Sequence, residues 1–144
     1  MSEVITDKLT GRATAGDVTI TSEGGSATMQ LQQGLAKNFV NLDASSGTPT
    51  AQDSLNLSSI TDTNTGRFAI NVTNNYDNAN YSLAGYSNGV TSNSFTGDNV
   101  LGLGTSLITT TTTAVYEMLC WKGGTGGTYV DSKHADSQGF GDLA

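Results

Sequence analysis

The sequence predicts a mainly β protein: a C-terminal antiparallel β-sandwich head preceded by a short helix and a thin N-terminal β segment. Three observations predict it. Of the 144 residues, 67 are Gly, Thr, Ser or Asn, types that supply turns and exposed pleat rather than helix. Only 13% of the chain is charged while ten aromatics are spread along it, the reverse of a disordered composition. Short alternating apolar rows recur between turn clusters about every 8–12 residues, the spacing of an antiparallel sandwich.

Residues 1–26 form the thin segment. Val4, Ile5 and Leu9 make one small apolar group, and Asp17-Val18-Thr19-Ile20-Thr21 alternates in strand fashion. Ordering a backbone costs about 1–2 kcal/mol per residue, more than this segment can bury alone. It must pack on another copy of itself or on a partner. Residues 27–42 change period. At about 100° per residue, Leu31, Leu35, Phe39 and Leu42 fall on one narrow stripe of a short helix. Ser26 or Thr28 caps its start, and Gly34 weakens it by about 1 kcal/mol relative to Ala. The stripe either lies on its own domain's sheet or forms an axial bundle of identical chains, with Gly34 permitting close approach.

Residues 43–144 read as the β-sandwich head. Leu55, Leu57 and Ser59 alternate into a turn at Asp62-Thr63-Asn64-Thr65-Gly66, and Phe68, Ile70 and Val72 return. A second turn at 74–78 leads to Tyr81, Leu83 and Gly85, and Asn88-Gly89 carries a hairpin signal. Leu107-Ile108 with the following threonines, residues 114–121, Tyr129-Val130 and residues 138–144 read as further strands, and residues 123–127 as a Gly-rich loop.

Composition also excludes function classes. A net charge of −7 with six basic residues argues against nucleic-acid binding. No run approaches the ~18 apolar residues of a membrane-spanning helix, and the start MSEVITDKL lacks the plan of a secretory signal. The single Cys120 cannot make an internal disulfide framework or a Cys-rich zinc site; with Trp121 it reads as core or interface.

Several motifs resemble chemistry without completing it. Gly85-Tyr86-Ser87-Asn88-Gly89 is a literal G-x-S-x-G, followed by Asp131 and His134. A hydrolase elbow needs a strand-to-helix turn, and no helical period follows, so the motif reads as a turn. His134 reads as solvated in a polar loop, with a metal site on a symmetry axis as the sharper alternative. Asp62–Gly66 lacks the closing Glu of a calcium loop. Asn56, Asn71 and Asn80 sit in N-x-Ser/Thr sequons, which carry weight only on a secreted chain. No cofactor is called for, and the chain reads as non-enzymatic. The competing enzyme class is a glycan depolymerase, which needs two carboxylates about 5–9.5 Å apart. Asp77, Asp98, Glu117 and Asp131 are candidates, but no spacing pairs them.

Tyr76, Tyr81, Tyr86, Phe95 and Tyr129 lie in or near turns rich in Asn, Asp and Ser. Aromatic faces beside amides suit carbohydrate recognition; the alternative is strand-end packing. Tyr76, Asn78, Tyr86, Asn88, Asn93 and Phe95 are the candidate receptor contacts.

Three stretches carry a family resemblance. Residues 31–41, LQQGLAKNFVN, resemble the helix that introduces the terminal domain of many marine bacteriophage tail-fibre proteins. Residues 53–62 with 65–72 are similar to their first hairpin, and Phe140-Gly141-Asp142-Leu143-Ala144 to their C-terminus. Thr6-Asp7-Lys8-Leu9-Thr10-Gly11 resembles their upstream repeats, while residues 86–136 are unmatched. The resemblance implies a homotrimeric virion appendage whose β-rich head contacts the host surface; this chain is short for one. A trimer would also relieve the thin N-terminus and modest core, with Leu31, Leu35, Phe39 and Leu42 on its axis. The expected function is therefore a short tail fibre at the virion surface, docked through its N-terminal segment to other virion proteins and binding a host-surface glycan. The alternative is a capsid-mounted fibre or an architectural decoration without a receptor.

Overall fold

The computed structural model describes residues 5–12, 18–21, 24–25, 27–88, 99–104, 112–122 and 128–144. The chain divides into two compact units, Met1–Leu35 and Ala36–Ala144. In the first, β1 (Thr19–Thr21) and β2 (Thr28–Gln30) form an antiparallel hairpin with Ile20 opposite Met29. Every residue of both strands is exposed. A single helical turn, α1 (Leu31–Gly34), follows, tied back by the Leu31 N–H donating to the Val18 carbonyl at 2.7 Å.

The helix expected over 27–42 is thus corrected to one turn. Its start has no side-chain cap, and it carries neither acidic residues in its first turn nor basic ones in its last, so nothing local offsets the cost of nucleation. Beyond it the chain finds better partners. Asn38–Asp43 is a strand, β3, hydrogen-bonded on both sides. Leu31, Leu35, Phe39 and Leu42 therefore share no helix: Leu31 lies on the turn, Leu35 follows it, and Phe39 and Leu42 face opposite sides of a sheet.

The second unit continues with β4 (Thr50–Leu55), β5 (Leu57–Asn64), β6 (Arg67–Val72), β7 (Ser82–Asn88), β8 (Asn99–Gly104), β9 (Val115–Lys122), β10 (Thr128–Tyr129) and β11 (His134–Phe140). One antiparallel sheet runs in the order β4-β3-β11-β7. In the other, β9 pairs β6 and then β10 along one edge and β8 along the other, and β5 flanks β6. The β5–β6 hairpin and its Thr65-Gly66 turn match the sequence reading, as do the strand at 115–122 and the short one at 128–129. The expected strand at Leu107-Ile108 and the loop at 123–127 lie outside the described residues.

The two sheets close on one core as a β-sandwich. Val40, Leu42 and Ala135 face it from the first sheet, and Phe68, Ile70, Val72, Tyr116, Met118 and Cys120 from the second. Alternation along each strand dictates this: a period of two sends every second side chain inward. The chain changes sheets between β4 and β5 at Asn56, whose φ of 56° lies in the left-handed region Asn tolerates. Asn56 accepts from the Asn74 N–H at 2.7 Å and its amide donates to the Asn74 carbonyl at 3.0 Å.

A polar network threads the core. Tyr76 O–H donates to Asn38 Oδ1, Asn38 Nδ2 donates to Tyr116 Oη at 2.8 Å, and that hydroxyl meets Ser137 Oγ at 2.7 Å. Tyr81 stacks on Tyr76 with centroids 4.0 Å apart. Gly139 completes the arrangement, because a Cβ there would overlap Tyr76 Oη and Asn38 Oδ1. On the outer face of the second sheet, Arg67 pairs with Glu117 at 3.0 Å beneath the Tyr129 ring, which Trp121 meets edge-on.

Candidate functional site

The outer face of the β4-β3-β11-β7 sheet carries the candidate site. Register lines up two cross-strand rows. The first runs Leu55, Phe39, Gln138, Ala84; the second runs Asp53, Asn41, Asp136, Tyr86. These are the residues left facing outward once Val40, Leu42, Ala135 and Ser137 turn to the core. With strands about 4.8 Å apart, four of them span about 14 Å. Between the rows lies a groove of about 410 Å³ lined by Phe39, Asn41, Asp53, Tyr86, Asp136 and Gln138, with Gly85 and Ala84 along one side.

The groove combines an apolar floor with directional polar groups. Phe39 and Tyr86 supply ring faces; Asn41 and Gln138 supply amides that both donate and accept; Asp53 and Asp136 are acceptors. The Tyr86 phenol is held above its ordinary pKa, chiefly by its hydrogen bond to Asp136 and then by that carboxylate's charge. It therefore stays a donor. Its ring remains half exposed. Among the described residues no three His, Cys, Asp or Glu converge on a metal-sized site, and no helix is long and apolar enough to cross a membrane.

No family model, curated protein or solved structure matches the chain. The residues themselves must carry the reading.

Of the expected contacts, Tyr86 lines the groove. Asn88 lies two residues further along β7, opposite His134 of β11. Asn78 sits outside the groove, accepting from the Asn80 N–H at 2.8 Å in an Asx turn. Tyr76 is corrected: it is 1% exposed, stacked on Tyr81 and bonded to Asn38, so it has no face to offer a ligand. Asn93 and Phe95 lie outside the described residues. Tyr129, another aromatic near a turn, packs on Arg67 and Trp121. Sequence reading passed over Asn41, Asp53, Asp136 and Gln138 and assigned Phe39 elsewhere. The alternation of His134-Ala-Asp-Ser-Gln-Gly-Phe140 was the signal that could have found two of them.

The hydrolase-like motif is neither an elbow nor the turn expected of it. Residues 85–88 belong to β7. Ser87 is buried, paired with core-facing Ala135, whereas His134 points to the opposite face of the sheet. Asp131 accepts from the Gly66 N–H at 2.7 Å. These three cannot form a charge-relay geometry. The depolymerase candidates are similarly dispersed. Glu117 is ion-paired on the other sheet, Asp77 lies on an exposed loop, and Asp98 is outside the described residues. Cys120 is a core residue, its thiol pushed up to about 11 by burial, which leaves little thiolate for chemistry.

Proposed function

We propose that the protein is a non-enzymatic adhesion module, a short phage fibre whose sandwich binds a host-surface glycan through the outer face of the β4-β3-β11-β7 sheet. One observation carries the binding reading. Within residues 36–144, the large apolar side chains left exposed among the described residues are Leu55 and Tyr86, and both stand on this face. A sandwich that among its described residues exposes just these two large apolar groups, beside amides and carboxylates, has the lining of a sugar site. The attachment to a virion rests on the tail-fibre resemblance of residues 31–41, 53–72 and 140–144.

The same census supports a homotrimer joined through the first unit. Ile5, Leu9, Ile20, Met29 and Leu35 are all exposed there, and a two-stranded hairpin is marginal on its own. Three chains sharing those side chains would bury them, and three weak sugar sites on one particle gain by avidity. N-terminal docking to other virion proteins uses the same segment.

Binding is tested by probing a glycan array with the full chain and with Tyr86→Ala. Retention on at least one glycan by the parent and its loss in the variant are expected. Absence of any retention, or equal retention by both, would overturn the reading. A protein that stays on virions yet fails to compete with phage for adsorption is instead an architectural decoration. A solution mass of one chain at micromolar concentration would sink the trimer, which Leu35→Asp should dissociate.

A further inference from the structure

We infer that the groove takes a glycan carrying free amines, an amino-sugar polymer, and turns acidic glycans away; this rests on the glycan-binding reading above. Charge complementarity within one row of the sheet points to it. Asp53 on β4 and Asp136 on β11 flank Asn41 of β3 in direct register. Two strand spacings separate their Cα atoms, about 10 Å. A sugar seated over Asn41 is therefore within reach of a carboxylate on either side. Among the described residues lining the groove there is no Lys, Arg or His; His134, two residues before Asp136 on β11, stands on the same outer face one row further along. Lys133, next in chain to the start of β11, is held by Asp43. Over Asn41 a uronic acid or sialic acid would meet a carboxylate on either side, whereas an ammonium would meet two acceptors and the Tyr86 ring, a surface cations favour. Phe39 and Leu55 in the adjacent row leave apolar area for the ring carbons.

The test titrates the full chain, at mildly acidic pH where sugar amines are protonated, with a glucosamine tetramer, its fully N-acetylated counterpart and a galacturonate tetramer. The amine-bearing oligomer should bind about tenfold tighter than the acetylated one, the product of about threefold from each of two partly exposed carboxylates, and the galacturonate weakest. Asp53→Asn and Asp136→Asn should each shrink the amine preference to about threefold or less. Asp62→Asn, which removes an exposed carboxylate from the other sheet, should leave that preference intact. Equal affinity for amine and acetylated oligomers, a preference for galacturonate, or an equal effect of Asp62→Asn would overturn the inference. So would binding that calcium restores after chelation, since the carboxylates would then hold a metal. If the acetylated oligomer binds as well and Tyr86→Ala abolishes it, the amine inference alone falls. If no glycan binds, the underlying reading falls with it.

Discussion

Asn38→Ala is the most informative perturbation of the sandwich, because Asn38 is the hub on which two buried tyrosines depend. The side chain is buried, accepts from Tyr76 O–H and donates to Tyr116 Oη at 2.8 Å. Truncation leaves the Tyr76 hydroxyl without that acceptor, at about 1–3 kcal/mol, and removes one further bond worth about 1 kcal/mol. Tyr116 retains Ser137 at 2.7 Å, so it is not orphaned. The void left by the amide adds roughly 1 kcal/mol. Together these come to about 3–5 kcal/mol, a large share of a typical stability of about 5–15 kcal/mol. With urea slopes of about 1–3 kcal/mol per molar, equilibrium denaturation at fixed protein concentration should show the midpoint falling by about 2 M. Tyr76→Phe in the same background should cost less than the two single changes added together, by about 1–2 kcal/mol, since no orphaned group then remains. A single-variant loss under about 1 kcal/mol, or strict additivity, would refute the reasoning. The result bears on function too: Asn38 and Ser137 are the inward neighbours of Phe39 and Gln138, so the network holds the register that displays the groove.

Three other outcomes are expected. Gly66→Ala should cost more than about 2 kcal/mol in thermal or urea unfolding, because Gly66 has a φ of 64° and a Cβ there would sit 2.5 Å from the Val130 nitrogen and 2.6 Å from the Cys120 carbonyl. Burial raises Tyr76, Tyr81 (to about 12) and Tyr116 above the ordinary phenol value of 10.0. The native state thus holds protons the unfolded chain releases, and stability present below pH 10 should be lost as pH rises toward 12. Tyrosinate absorbance should then appear together with unfolding, and non-cooperative titration of all five tyrosines near pH 10 would contradict it. Asp43 is lowered to about 2 by hydrogen bonds from Lys133 and Ser45. Its contribution should be present above about pH 4 and fade as pH falls toward 2, worth under about 1 kcal/mol because the pair is partly solvated. Asp43→Asn should flatten that part of an acid-denaturation curve.

What the sequence made legible was local. The β5–β6 hairpin could be read directly because Phe68, Ile70 and Val72 alternate against a turn ending in Gly66. What it concealed depends on partners far along the chain. Leu31, Leu35, Phe39 and Leu42 satisfy a helical period, and the competing strand pattern of Asn38, Val40 and Leu42 includes a polar residue at a core position. Only the hydroxyls of Tyr76 and Tyr116 make a buried Asn38 acceptable there. Tyr76 misled for the matching reason: its Asn- and Asp-rich surroundings suggest an exposed turn, while its hydroxyl finds an acceptor 38 positions away. The groove was hidden because Asp53, Asn41, Asp136 and Tyr86 come from four strands and become one row only through register.

The place of β11 in its sheet has a consequence for how the protein comes to exist. It is the last of the described strands to leave the ribosome, yet it lies between β3 and β7. Asn41 must wait for Asp136, 95 residues later, before it is paired on that side. Until then β3 and β7 each keep an open hydrogen-bonding edge, which slows folding and invites pairing with other nascent chains. The same late strand delivers Asp136 and Gln138, so a half-made chain carries no complete groove. The proposed glycan surface therefore exists only once the sheet is complete.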